Sequence, residues 1–370
     1  MINVLQIGMT ENIGGMETYL IEYYRNLDRT KIRYSFVNIT AERKMVFAEE
    51  IKHNGDSIYN VISRHRNPLK HYWQWMKLLV KHGKEYDALV LNACSLNYVF
   101  PLVAAKLFGI KKRIIHSHNS GDEVRMTFKR KLLVSFNKVL LRWAATDYWA
   151  CSKLAGEWMF CDKLDFKVIH NAVNVTKFKF NPDIRRRLRN ELKLSDKFVV
   201  GNIGRFSFQK NHEFLIDIFK EVKEVCDNSV LLLIGDSDFD LACKDNVMRK
   251  IQEFSLEEDV FFLGMRNDIN DLIQTMDCFV LPSRFEGLPV VGIEAQTAGL
   301  GCVVSDAVST ELKLTNLVTF VPLANSAKDW AEAILQFKGA KRQDISQLIK
   351  ASGYDIREES IKIIDNFAEN

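Results

Sequence analysis

Two carboxylates and two cations at fixed spacings define the chemistry this chain of 370 residues can offer. Glu286 and Glu294 stand with seven residues between them in the stretch PSRFEGLPVVGIEAQTAGLG (282–301), and Arg205 and Lys210 bracket a short turn upstream. An ionised glutamate accepts hydrogen bonds from paired hydroxyls, such as those of a sugar or a ribose. An arginine and a lysine beyond the carboxyl end of a strand can neutralise a leaving diphosphate. Each residue also has a plainer reading. Glu286 could cap a turn, Glu294 could be a solvated helix residue, and the cations could be ordinary loop charges.

The elements around these residues favour the chemical reading. The apolar run from Asp277 to Leu281 has the pattern of a parallel strand covered on both faces. After the turn, Pro289 suits the first helical position and Gly299 the C-terminal cap. Such a strand, turn and helix start would bring Gly287, Leu288, Pro289 and Val290 against an anion, with a diphosphate the expected guest. The strand Phe198–Gly204 feeds the Arg205–Asn211 turn and the helix His212–Val225 in the same way. Strands at Ser229–Gly235, Val260–Met265, Cys302–Ser305 and Val318–Val321 would complete that sheet, and Arg266 opens the turn after the second of them.

The first half alternates six predicted strands, from Asn3–Ile7 to Asp147–Ala150, with amphipathic helices, the signature of a doubly wound α/β domain. Its first turn, GMTENIGGME (8–17), carries Gly14 and Gly15, whose spacing is not the dinucleotide fingerprint. A later strand ends in IIHSHNSG (114–121), where His116 and His118 share one side of an extended chain. No third ligand follows nearby, so no metal site is expected, and His116 reads as a satisfied structural histidine. The DSDFD segment (236–240) looks like a metal-binding aspartate pair, but Asp and Ser after a strand normally cap the next helix.

Taken together, these motifs resemble the retaining GT-B glycosyltransferases of family 4. The resemblance rests on the E-x7-E pair at Glu286 and Glu294 and on the G-R-x4-K-N pattern at Gly204–Asn211. It implies two Rossmann-like doubly wound parallel-sheet domains facing across a cleft. Domain boundaries follow: residues 1–175 for the acceptor domain, 176–195 as connector, 196–350 for the nucleotide-sugar domain, and 351–370 as a helix crossing back to the first domain. The implied activity is retaining transfer of a hexose or N-acetylhexosamine from a nucleoside diphosphate sugar, with UDP the expected nucleotide, to an acceptor hydroxyl. A lipid-linked saccharide in exopolysaccharide or capsule synthesis is the expected acceptor. By the same resemblance Glu286, Arg205, Lys210 and His118 are catalytic, while Gly14, Gly15, Asn171, Arg266 and Glu294 join the glutamate loop in binding substrate. No cofactor or metal is implied. Asn171 lies in IHNAVN (169–174), where Ala172 and Asn174 depart from the family's N-G-V-D. A nucleotide-sugar epimerase or a non-catalytic nucleotide-binding subunit is the alternative.

Composition bounds the rest. Hydrophobic residues make up 47% and charged residues 26% of the chain, as in a globular protein, and no apolar run reaches the ~18 residues of a membrane span. No leader peptide is expected, because Met1 leads directly into a strand. Seven scattered cysteines without a CxxC pair read as reduced core thiols of a cytoplasmic protein. The net charge of +4 conceals an asymmetry, with 28 basic and 16 acidic residues in 1–180 against 23 and 31 in 181–370. The stretches Ser63–Lys84 and Lys129–Arg142 interleave basic with apolar side chains, which suits peripheral contact with an anionic membrane. A solvated helix face is the plain alternative. Nucleic acid is not expected, since no recognition module accompanies the charge.

Overall fold

The computed structural model describes residues 1–41, 43–122, 126–161, 164–236 and 241–369. It separates into two compact units, residues 1–171 with 356–370 and residues 172–355. The first contains strands β1 (Ile2–Ile7), β2 (Ile32–Asn38), β3 (Ile58–Asn60), β4 (Ala88–Ala93), β5 (Lys112–Ser117), β6 (Asp147–Ala150) and β7 (Lys167–Val168). They form one parallel sheet in the order β3-β2-β1-β4-β5-β6-β7. The second contains β8 (Phe198–Ile203), β9 (Ser229–Ile234), β10 (Val260–Gly264), β11 (Cys278–Leu281), β12 (Gly301–Ser305) and β13 (Val318–Val321), in the order β10-β9-β8-β11-β12-β13. All its pairings are parallel as well.

Central strands of both sheets are mostly apolar because helices cover both faces; Val4, Leu89, Val199, Leu231, Val280 and Val303 are wholly buried. One face of the second sheet carries Phe219, Val222, Trp330 and Ile334 from the helices His212–Val225 and Ala327–Leu335. Burying one such side chain contributes about 1.5–3 kcal/mol. In each unit the winding reverses beside the first strand, between β1 and β4 and between β8 and β11. Helices leave those neighbours in opposite directions, so a crevice opens beyond their carboxyl ends, where ligands of such sheets bind.

Several expectations change. A seventh strand, β7, joins the first sheet; two residues are too few to give a periodic signal. The 176–195 stretch carries the helix Pro182–Glu191, and its arginines are engaged. Arg185 donates to the carbonyls of Gln274 and Met276 (both 2.8 Å), and Arg189 to that of Thr275 (2.8 Å). Both also pair with Asp277, at 2.5 and 3.0 Å, whose carboxylate accepts from Val199 N (2.8 Å). These contacts fix the start of β11 against β8. The helix Ile356–Ala368 packs in the first unit, with Phe367 against Trp149 and Tyr34. All seven cysteines are free; Cys151, Cys226, Cys278 and Cys302 are buried, whereas Cys94 and Cys161 are exposed. Among the described residues no helix is long and apolar enough to cross a membrane.

Candidate functional site

In the second unit, the loop after β8 and the loop after β11 are stitched together at the reversal point. Arg284 N donates to Gln209 O (2.8 Å), Asn211 Nδ2 to Pro282 O (3.1 Å) and Gln209 Nε2 to Phe285 O (2.9 Å). Asn211 caps the helix His212–Val225 in the left-handed conformation, with φ of 58°, which asparagine tolerates better than most residues. Gly235 permits close approach of β9, since a Cβ there would lie 2.2 Å from Gly204 O.

Glu286 stands at the centre, only 7% exposed. Lys210 Nζ lies 2.6 Å from its Oε1, Ser283 Oγ donates to the same oxygen at 2.9 Å, and Gln209 Nε2 donates to Oε2 at 3.2 Å. The carboxylate is therefore oriented and paired with a cation. Arg205 is exposed on the same loop as Lys210. Ser283 and Gln209 were not among the predicted site residues. Their signal was present in the chain, three positions before the glutamate and one before the lysine, yet a serine or glutamine in a turn is ordinarily read as turn chemistry.

The helix after the loop runs Val290–Thr297, so Pro289 is its N-cap, with φ −69° and ψ 113°, and not its first residue. The residue's fixed φ suits either place; here its extended ψ delays the helix by one position. Gly299 meets its expectation with φ of +66°. Its N–H bonds to Gln296 O (2.7 Å) and that of Leu300 to Ala295 O (3.0 Å), the paired closure typical of a glycine-terminated helix. Gly287 and Leu288 lie in the loop, and Glu294, one turn into the helix, is 8% exposed. That burial is not the solvated helix position of the plain reading. Arg266 stands apart, exposed after β10 and bidentate to Asp268 at 2.6 and 2.8 Å. Of the aspartates in 236–240, Asp238 and Asp240 lie outside the described residues.

His212 is buried at the foot of this site, stacked on Phe206 with ring centroids 4.2 Å apart. Burial, with Lys210 nearby, pushes its pKa down to about 3, so it is neutral.

In the first unit the corresponding turn follows β1. Gly14 caps the helix Gly15–Asn26 in an extended conformation, and a Cβ on Gly15 would meet nothing within 4 Å. Neither backbone strain nor packing against the protein therefore requires glycine at 15. His118 follows β5, with Nε2 3.0 Å from Asn92 Oδ1. Asn92 uses its amide nitrogen on Gln6 Oε1 and Ile7 O (2.9 Å each), so its oxygen faces the ring and Nε2 carries the proton. Burial lowers the pKa of His118 to about 3, which leaves Nδ1 an acceptor. Asn92, 26 positions away in sequence, could not have been found without the fold. His116 is not satisfied: it is wholly buried against Tyr19 and His118, and among the described residues neither ring nitrogen has a hydrogen-bond partner. Burial, and then His118, hold it well below the ordinary histidine range. Asn171 is buried where the first unit ends, next to His170, whose carbonyl accepts from Tyr23 OH (2.8 Å).

Comparison with known proteins places these features in a wider set. Residues 184–351 match the family model described as Glycosyl transferases group 1. The chain is 30% identical over 368 residues to the putative glycosyltransferase EpsF of Bacillus subtilis, covering 96% of this chain and 93% of that one. It is 31% identical over 242 residues, 62% of this chain and 60% of the other, to an Escherichia coli UDP-Gal:α-D-GlcNAc-diphosphoundecaprenol α-1,3-galactosyltransferase. In structure it is similar to Anabaena HepE crystallised with UDP-glucose, with a TM-score of 0.82 at 20% identity over the whole of both chains.

Proposed function

We propose, for a chain that belongs to the group 1 glycosyl transferases and has the GT-B fold, that it transfers a hexose or N-acetylhexosamine from a UDP-sugar with retention of configuration. The acceptor is a hydroxyl of a lipid-linked saccharide in exopolysaccharide or capsule synthesis. The observation that carries this reading is the Lys210–Glu286 pair, 2.6 Å apart where the winding of the second sheet reverses. It puts a cation for a diphosphate beside an acceptor for sugar hydroxyls. The UDP-Gal and UDP-glucose named for two similar proteins support uridine, and the diphosphoundecaprenol named for one supports a lipid-linked acceptor.

In this mechanism the bond from the anomeric carbon to the β-phosphate oxygen breaks as the acceptor oxygen bonds to the same face. The acceptor's proton passes to the departing phosphate oxygen. Lys210 and Arg205, with the N-terminal end of helix Val290–Thr297, stabilise the charge growing on that phosphate, so no metal is required for it. As Lys210 turns to the phosphate, Ser283 and Gln209 keep Glu286 oriented towards the sugar hydroxyls. Glu294 holds the ribose. His118 accepts from a sugar hydroxyl at Nδ1, and the open space at Gly15 admits substrate against the backbone. Gly14 and Asn171 of the first unit and Arg266 of the second are assigned to substrate binding on the resemblance alone.

The test is thermal stabilisation and slow hydrolysis of UDP-, GDP-, ADP- and TDP-sugars by the purified protein. A UDP-sugar is expected to raise Tm and release UDP slowly. Stabilisation by another nucleotide would reassign the base, and no response to any of them would overturn the donor site.

A further inference from the structure

Three helices of the first unit, Pro68–His82, Phe100–Leu107 and Phe128–Ala144, carry nine Lys or Arg residues and no Asp or Glu. The same three carry 11 of the 21 exposed large hydrophobic side chains among the described residues. A solvated helix face would show the charge without the apolar groups. On Phe128–Ala144 only Asn137, Leu141 and Ala144 are buried, while Phe128, Leu132, Phe136, Val139 and Trp143 recur at helical spacing along an exposed stripe. Phe136 is 60% and Trp143 48% exposed. Lys129, Lys131 and Arg142 flank that stripe, also exposed. On Pro68–His82 a second exposed stripe runs Leu69, Trp73, Met76 and Val80, beside Lys70, Lys77 and Lys81.

The stripes belong to one surface. Tyr72 packs on Phe100 with ring centroids 4.6 Å apart, and Trp143 covers Lys106 at 4.2 Å. The short helix Phe100–Leu107 thus joins the two long ones. Among the described residues, Asp122 beside this surface is taken up by Arg130 at 2.6 Å, and Glu85 lies 2.9 Å from His82 Nδ1 at the end of the first helix.

We propose that this surface docks on an anionic lipid bilayer, with the apolar stripes seated among the acyl chains and the lysines and arginines at the headgroups. Aliphatic side chains and tryptophan framed by basic residues are what an interfacial helix requires. The excess of positive charge disfavours pairing of the face with a second copy of itself. The inference rests on the reading of a lipid-linked acceptor and supplies the place where such an acceptor is met.

The experiment is vesicle co-sedimentation of the full chain with phosphatidylglycerol–phosphatidylcholine vesicles and with phosphatidylcholine alone. Two variants accompany it, Phe136→Ser with Trp143→Ser and Lys129→Glu with Lys131→Glu, each checked by thermal unfolding. Expected are binding to anionic vesicles that falls at least tenfold in either variant and at high salt, and little binding to the neutral ones. Equal binding to neutral vesicles, wild-type binding by both variants, or a solution dimer dissolved by Phe136→Ser with Trp143→Ser would each overturn the proposal. Hydrolysis of a soluble UDP-sugar without lipid separates the two readings. A protein that hydrolyses donor but ignores vesicles loses only the docking face, and one that binds vesicles but no donor loses only the transferase assignment.

Discussion

Lys210 is held by a carboxylate before any phosphate reaches it. A diphosphate must therefore compete with Glu286 for the cation, and the two residues should respond to mutation in opposite ways. Glu286→Gln removes the competing charge, so UDP should bind several-fold more tightly while kcat falls by at least tenfold. Lys210→Ala should lower kcat by roughly 10²–10³, the usual cost of losing a donor aimed at developing charge. Unchanged kcat in Lys210→Ala, or weaker UDP binding in Glu286→Gln, would remove the exchange of partners from the mechanism. Glu294→Ala should raise the dissociation constant for UDP about tenfold with little change in Tm, the value of one charge-assisted hydrogen bond. A fall in Tm with unaltered affinity would return Glu294 to a structural role. Of these residues the sequence displayed the charged ones, because charge is rare in turns after buried strands. Ser283, Gln209 and Asn92 were invisible as site residues because what they do depends on which loops and strands become neighbours.

At the level of elements, the placement of the site follows from strand order. The loops bearing Lys210 and Glu286 meet because β8 and β11 are adjacent while their helices diverge. Strand existence was legible from short apolar runs, and most boundaries fell within two residues. The adjacency of β8 and β11 was not, since pairing between strands so distant in sequence leaves no local pattern. The helix within the 176–195 connector shows the same dependence on long-range neighbours. Its arginine-rich composition resembles a solvated stretch, and only the fold brings Asp277 and three backbone carbonyls within reach. The helix carrying Glu294 is closed by Gly299, where a Cβ would lie 2.3 Å from Gln343 O at a positive φ. Gly299→Ala should therefore destabilise the protein by about 1–3 kcal/mol. Thermal unfolding measures this, and an unchanged Tm would mean that the loop at Gln343 yields freely.

For the whole molecule, four buried histidines link stability to acid. Burial pushes His118 and His212 down to about 3, below the ~6.5 of an unfolded chain, and shifts His116 and His71 in the same direction. Between those limits the unfolded chain binds protons that the folded one refuses. Their contribution is complete above about pH 6.5 and declines as pH falls; for His118 and His212 the decline approaches about 1.4 kcal/mol per pH unit each and continues towards about 3. Urea midpoints at pH 7.5, 6 and 5 should fall in that order, and a flat series would show that these rings take up protons without unfolding.

Residues 356–370 complete the first unit, although the whole second unit precedes them in the chain. The second unit is an insertion whose own ends are tied together by the bond from Val173 N to Tyr354 O (2.9 Å). Synthesis on the ribosome therefore delivers a closed second unit while the first still lacks the helix that covers Trp149 and Tyr34. The unit that begins first is finished last. Removing residues 356–370 should leave the 172–355 unit cooperative in thermal unfolding and make the first unit susceptible to proteolysis, whereas loss of both transitions together would mean that the two fold as one.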